Sequence, residues 1–255
     1  MEALLMSWVP GDMSRWVVAG LIGFSYFTSA VTAAFGLGGG VMMLAAMASV
    51  MPALAIIPTH GAVQLGSNSG RAIVMRQHID WSLFRLFVVG AVIGAGIGSQ
   101  VVIQLPGDIL RLILGLFILW LVWGPKPAKR AMSGIRFMFV GLVTSFLTMF
   151  VGATGLFIGA SLSAEQLGKM RTVSTHAACA AIQHGVKVAV FIAVGFAFFE
   201  WLPLILAMVA SGFLGTLTGK SILEKIPEKI FKFGFKALLT LLALRLISNA
   251  VLEVM

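Results

Sequence analysis

The stretch LFVVGAVIGAGIGSQVVI, residues 86–103, carries no charged side chain and is long enough to cross the hydrocarbon core of a bilayer as a helix. A second run, LILGLFILWLVW at 112–123, is also free of charge, and neither run alternates polar and apolar residues as membrane β-strands do. Over the whole chain 59% of residues are hydrophobic and 11% are charged, too apolar a composition for a water-facing surface. The sequence therefore predicts an all-α polytopic membrane protein.

The net charge of +9 comes from basic residues that are concentrated in short loops between the apolar runs. Lysine and arginine gather in the cytoplasmic loops of membrane proteins, which explains the charge without nucleic acid as a partner. Residues 1–15 do not resemble a cleavable signal peptide, so we expect the first span to anchor the chain. The single Cys179 excludes an intramolecular disulfide. We predict no metal site, no cofactor and no catalytic residue.

The chain contains an internal repeat, which is typical of secondary transporters. The aligned pairs are FGLGGG at 35–40 with FVGATG at 150–155, Thr59-His60 with Thr175-His176, Arg71 with Lys187, and Leu105-Pro106 with Ile226-Pro227. Two transmembrane repeats follow from this alignment. They span residues 16–124 and 134–250, after an N-terminal tail (1–15) and on either side of a basic cytoplasmic linker (125–133).

Loop charges predict that the two repeats have inverted topology. The loop at 76–81 is basic, whereas its counterpart at 195–201 carries only Glu200. The loop at 104–108 contains Asp108, whereas its counterpart at 220–232 is rich in lysine. Corresponding loops should therefore lie on opposite sides of the membrane, with both termini outside. This topology gives each half three full spans, predicted at 55–75, 82–104 and 109–124, and at 172–195, 202–219 and 230–250.

The remaining segments, 16–51 and 137–163, bear the glycine motifs and must enter and leave the membrane on the same side. Two equal legs of about 13 residues in 137–163 would each reach only ~20 Å, so we expect a re-entrant hairpin there. The longer first segment either crosses fully with its first leg or re-enters. Each glycine turn leaves free N–H groups at a helix N-terminus, which can bind an anion. The predicted turn contacts are Gly38, Gly39, Gly40, Thr154 and Gly155.

Two predicted spans have a polar face. In the first span this face holds His60, Gln64, Asn68 and Arg71, and in its counterpart it holds His176, Gln183, His184 and Lys187. The first set falls within an arc of roughly 80° and the second within roughly 100°, and polar groups inside a membrane usually face a cavity or a partner. Carbonyl bonds for the histidines, interhelical bonds for the amides and snorkelling of Arg71 are structural alternatives. All nine acids fall in loops or at span ends, so the predicted cavity suits an anion.

The motifs FGLGGGVMMLAAMASVMPALAIIPTHGAVQLGSNSGR and FVGATGLFIGASL resemble the TauE/SafE family of sulfite and organosulfonate exporters. The resemblance implies a carrier in a bacterial-type plasma membrane that moves sulfite or a sulfonate such as sulfoacetate. We therefore predict a secondary transporter with alternating access around a midplane site between the repeats, and an anion channel is the alternative. The expected partners are a small anionic substrate and the lipid bilayer, and a homodimer stays open.

Overall fold

The computed structural model describes residues 13–35, 38–102, 106–125, 134–164, 167–223 and 228–254. These residues form ten α-helices and a short 3-10 turn at Arg76–His78 but no strand, which confirms the all-α prediction. The helices are α1 (Arg15–Phe35), α2 (Gly39–Val50), α3 (Ala53–Val74), α4 (Trp81–Val102), α5 (Gly107–Trp123), α6 (Gly134–Val151), α7 (Gly155–Ala164), α8 (Lys169–Ala193), α9 (Phe198–Leu223) and α10 (Glu228–Val254).

Five of the helices, α1, α4, α6, α8 and α9, are long and apolar enough to cross a membrane. Large apolar side chains such as Val92, Ile97 and Phe213 are about half exposed on the outer surface of these helices. Such exposure is expected where lipid rather than water surrounds the protein. The chain is thus a multi-pass membrane protein. The predicted spans at 55–75, 109–124 and 230–250 also form helices, α3, α5 and α10, and their crossing stays a prediction.

Each of the four most extensive helix contacts joins a helix of one predicted repeat to a helix of the other. The most extensive contacts join α4 with α6 and α1 with α9, followed by α3 with α8 and α5 with α10. In the repeat alignment α1 corresponds to α6 and α4 to α9, so the first two contacts are equivalent. The other two contacts each join a helix to its own counterpart.

Glycines allow the two most extensive contacts to be close. Gly90 and Gly94 of α4 lie against backbone oxygens of Met138 and Leu142 in α6, where a Cβ would clash. Gly215 of α9 lies in the same way against the backbone oxygen of Tyr26 in α1. Small residues at helix interfaces are the usual means of close packing in membranes. The α1–α9 and α4–α6 pairs therefore form a tightly packed frame.

Both glycine-bearing segments consist of a long helix, a turn and a short helix. In the first segment α1 has 21 residues and α2 has 12, lengths of ~31 Å and ~18 Å. In the second segment α6 has 18 residues and α7 has 10, lengths of ~27 Å and ~15 Å. The prediction of two equal legs in 137–163 is therefore wrong. Helix α6 already begins at Gly134 and contains no breaker before Gly152, where φ becomes +73°.

Candidate functional site

The two glycine turns meet at one small cavity. Its walls come from both turns, from the polar faces of α3 and α8, and from α1. The lining residues are Thr32, Gly38, Gly40, Val41, His60, Gln64, Asn68, Ala153, Gly155, Leu156, His176, Ala180 and His184. The cavity volume is about 50 Å³, room for a few waters at ~10–15 Å³ each. A space of this size suits a small ion better than a large organic molecule.

The cavity wall follows the internal repeat of the sequence. With Phe35 aligned to Phe150 and His60 aligned to His176, twelve of the thirteen lining residues form counterpart pairs. The pairs are Gly38 with Ala153, Gly40 with Gly155, Val41 with Leu156, His60 with His176, Gln64 with Ala180, and Asn68 with His184. Thr32 of α1 is the lining residue outside this scheme.

Each turn presents the N-terminus of a short helix to the cavity. In α2 the first helical bond is donated by Met42 N to Gly38 O, at 3.1 Å. In α7 it is donated by Phe157 N to Thr154 O, at 3.0 Å. The amide groups that precede these donors have no helical acceptor, and the N-terminus of a helix carries partial positive charge. The cavity is therefore flanked by two sets of backbone N–H groups that have no helical acceptor.

Each of the two turns contains a glycine with a positive φ angle. Gly38, just before α2, has φ of +106°, and Gly152, just after α6, has φ of +73°. Residues with a Cβ rarely adopt such angles. The two positive-φ glycines do not align in the repeat, because Gly38 corresponds to Ala153. The second turn therefore reaches the same place by a different backbone path.

Two aligned histidines brace the two turns with the same hydrogen bond. His60 Nε2 lies 3.0 Å from Gly40 O, and His176 Nε2 lies 3.0 Å from Gly155 O. Since a carbonyl oxygen only accepts, Nε2 carries the proton in both rings. A bond to a carbonyl is the structural alternative expected for both histidines, and Nε2 of each ring makes such a bond. Both rings nevertheless line the cavity, so each histidine links a turn to the polar face of a helix.

A chain of hydrogen bonds runs along the polar face of α3. Asn68 Nδ2 donates to Gln64 O at 2.8 Å and to Gln64 Oε1 at 3.2 Å. Arg71 Nη1 donates in turn to Asn68 Oδ1 at 3.2 Å. Gln64 and Asn68 line the cavity, whereas Arg71 does not and contacts it through Asn68. The buried Arg71 Nε has no hydrogen-bond partner within the described residues.

Thr154 and Gln183 lie behind the cavity wall and connect α7 and α8 to α6. Thr154 Oγ1 lies 3.0 Å from Thr144 O and 3.2 Å from Gln183 Oε1. Gln183 Nε2 donates to the hydroxyl oxygens of Thr144 and Ser145, at 3.1 Å each. Gly39 also lies behind the wall, where it packs against Thr28 O of α1. These predicted contacts are therefore placed one layer away from the cavity.

Lys187 is fully buried and supports the second turn from behind. Its Nζ donates to Gly152 O at 3.0 Å, and its aliphatic stem passes Gly61 of α3. The lining residues include no carboxylate that would neutralise Lys187 or Arg71. Among the described residues, an ion pair joins Arg171, near the start of α8, to Asp80 at 2.7 Å, and neither residue lines the cavity. In the part of the chain that the structure describes, the surroundings of the cavity are therefore basic, with no lining carboxylate.

Sequence reasoning missed five lining residues. They are Thr32, Val41, Ala153, Leu156 and Ala180. Four of them could have been found, because Val41 and Leu156 follow the glycine turns and Ala153 and Ala180 are counterparts of predicted residues. Thr32 gave no signal, since its position depends on how α1 packs across the first turn.

The described helices and the cavity define a class, a multi-pass helical membrane protein with a polar site where two broken segments meet, as in secondary transporters. The sequence matches the family model of the sulfite exporter TauE/SafE over residues 5–246. The chain therefore belongs to the sulfite exporter TauE/SafE family, a family of transporters rather than enzymes, which confirms the resemblance of the two motifs. No curated protein and no solved structure matches the chain.

Proposed function

We propose that this protein is a secondary transporter that exports a small sulfur-containing anion, with sulfite as the first candidate and small sulfonates as the next. The observation that carries the proposal is the convergence of two helix N-termini on one small cavity without a lining carboxylate. Backbone N–H groups at such termini bind oxyanions directly. A cation would meet the wrong end of both helix dipoles.

The anion would be held by the N-terminal amides of α2 and α7 and by the groups that line α3 and α8. Gly40 and Gly155 let the backbone approach the ligand, and Gln64 offers an amide beside Gly40. Behind this layer Arg71 and Lys187 add positive charge at a longer range, which favours a negative ligand. We propose positioning roles for the residues behind the wall, which are Gly39, Arg71, Thr154, Gln183 and Lys187.

Alternating access would follow from two inverted halves in a bacterial-type plasma membrane, with both termini outside. The tightly packed α1–α9 and α4–α6 pairs suit a frame that stays intact. The short helices α2 and α7 would then enter from opposite faces and open the midplane cavity in turn. The counterpart pairs in the cavity wall support this arrangement, because two like halves would present the same positions to one ligand.

Flux through proteoliposomes tests this proposal. We expect sulfite flux to saturate with concentration and to be accelerated by sulfite on the other side of the membrane. Flux that rises linearly and shows no counterflow would support the anion channel instead. His176→Ala should abolish most of the flux, whereas His78→Ala, a change of an exposed histidine in the 3-10 turn, serves as the matched control. Absence of flux for sulfite and for sulfonates would contradict the proposal.

A further inference from the structure

Two histidines of the cavity each have a nitrogen without a hydrogen-bond partner. His60 uses Nε2 for its bond to Gly40 O, and its Nδ1 is buried and unpartnered within the described residues. The buried Nδ1 of His184 is likewise unpartnered there. The two rings meet edge to face with their centroids 5.8 Å apart, and the side chains are 0% and 5% exposed. The His60–His184 pair therefore joins α3 to α8 at the cavity itself.

The chemistry of Nδ1 conflicts with the binding of a bare anion. His60 donates through Nε2, so its neutral ring presents a lone pair at Nδ1, and this lone pair repels the oxygen of an anion. A proton on Nδ1 turns the same atom into a charged donor, which makes a strong hydrogen bond to an oxyanion. No group of three metal ligands occurs among the described residues. A proton on Nδ1 of His60 therefore makes this histidine compatible with an anion, and the ring of His184 lies next to it with a second unpartnered nitrogen among the described residues.

We propose that the His60–His184 pair is a proton-binding site and that each anion occupies the cavity together with one proton. The proton lies between an anion oxygen and Nδ1 of the pair. This inference rests on the proposed function and specifies its substrate class. A weak-acid oxyanion such as hydrogensulfite brings the proton with it, whereas an anion that stays fully ionised must take the proton from water.

The charges around the pair explain why proton and anion bind together. The groups that act electrostatically on the pair are Lys187 and His176, both on α8. The short helices α2 and α7, which contribute their N-termini to the cavity, contain no titratable side chain. A proton on the pair is a buried positive charge, which is unfavourable when the cavity is empty, and the negative charge of the anion offsets this cost. Each ligand therefore favours the other.

Proton uptake on sulfite binding tests this inference directly. The full-length protein in detergent is titrated with sulfite under anaerobic conditions, at mildly alkaline pH where free sulfite is mostly the dianion. Calorimetry in Tris and in Bicine, buffers with different protonation enthalpies, gives the number of protons taken up per anion. We expect about one proton per sulfite in the unaltered protein. Sulfite binding with no proton uptake would overturn the inference and leave the proposed function intact.

A double variant assigns the proton to the histidine pair. His60→Gln keeps an amide for the bond to Gly40 O, and His184→Asn places a permanent amide donor near the Nδ1 position. We expect this variant to bind sulfite more weakly and, at sulfite concentrations raised to saturate it, to take up almost no proton per bound anion. The exposed His78→Asn is the matched control, with unchanged uptake.

The remaining outcomes are equally decisive. Uptake of one proton by the double variant would overturn the assignment to this pair. If the double variant does not fold, His60→Gln and His184→Asn are each measured alone, and uptake that stays at the unaltered value in both would overturn the assignment in the same way. Failure of the unaltered protein to bind sulfite or any sulfonate would overturn the proposed function itself.

Discussion

The two halves of the cavity wall share their innermost hydrogen bond and differ in what surrounds it. His60 and His176 brace Gly40 and Gly155 at the same distance of 3.0 Å. Around this shared bond the first half has an amide chain that ends at Arg71. The second half has a small Ala180, a His184 nitrogen with no partner among the described residues, and a lysine bonded to its own turn. The repeated bond is common to both turns, and the residues around it are mainly amides in the first half and basic groups in the second.

The turns themselves meet the same packing requirement in two ways. In the first half Gly39 has no side chain, so α2 approaches the backbone of α1 at Thr28 O. In the second half the counterpart Thr154 keeps its side chain and lies 3.0 Å from Thr144 O of α6. Close backbone contact in one half thus corresponds to a hydroxyl hydrogen bond in the other. Two different residue types, glycine and threonine, therefore join the turn to the preceding long helix at aligned positions of the two halves.

The largest effect is expected for Gly39→Ala. A Cβ at this position would collide with Thr28 O, a backbone atom that cannot move aside without shifting α1. We expect a loss of at least ~2–3 kcal/mol in unfolding free energy, measured by thermal unfolding in detergent. Gly20→Ala in α1 is the matched control, because nothing lies within 4 Å of a Cβ there. Equal melting temperatures for the two variants would contradict the close packing of the first turn.

Lys187→Met should have the next largest effect and should exceed that of Arg71→Met. The lysine variant removes one of two donors to the buried Gly152 O, which keeps its bond from Thr148 Oγ1, and we expect a cost of ~1–2 kcal/mol for the lost bond of this fully buried side chain. The arginine variant removes a bond to the Asn68 side chain, worth ~1 kcal/mol. Both changes should also weaken sulfite binding, since each removes a positive charge. The order of the two melting temperatures is the measurement, and a reversed order would contradict the supporting role of Lys187.

His60→Ala and His176→Ala should reduce stability by similar amounts. Each change removes the side-chain donor to a carbonyl in the first turn of a short helix, which keeps its helical bond, at a cost of ~1 kcal/mol. Replacement by Gln should restore most of this loss, because its amide nitrogen can take the place of Nε2. Thermal unfolding of the four variants checks the prediction. A much larger loss of stability for one alanine variant than for the other, or no recovery of stability with Gln, would contradict the role of the shared bond in holding the turns.

The smallest effect separates the two turn glycines. A Cβ on Gly155 would lie 3.1 Å from His176 Nε2, so Gly155→Ala should push the ring and cost ~1 kcal/mol. A Cβ on Gly40 would lie 3.4 Å from the flexible Gln64 amide, so Gly40→Ala should stay within ~0.5 kcal/mol of the unaltered protein. Sulfite affinity should follow the same order. Equal losses in both variants would indicate that the two turns are more alike than these contacts imply.

Much of the site could be predicted because helical periodicity fixes direction. The polar faces of α3 and α8 were found in this way, and His60, Asn68 and His184 do line the cavity. Periodicity does not fix how far a side chain reaches. Lys187 points inward as expected, but its Nζ donates a hydrogen bond to Gly152 O and does not line the cavity.

Other features depend on contacts between distant helices or on local helix continuity. Thr32 lines the cavity only because α1 crosses the first turn, and no pattern in α1 marks this residue. The two helices of the second segment were predicted to be equal in length, but the first one, α6, is the longer because it already begins at Gly134. The all-α fold was predictable, since long apolar runs leave few alternatives in a membrane.

The most direct measurement of the central claim is the position of the bound anion. Selenite has the shape and charge of sulfite, and selenium scatters X-rays anomalously. We predict that crystals soaked in selenite show one strong anomalous peak between the N-termini of α2 and α7, within ~2.7–3.2 Å plus one Se–O bond of the amide nitrogens of Gly40 and Gly155. Anomalous peaks only at the surface, with none in this cavity, would contradict the account.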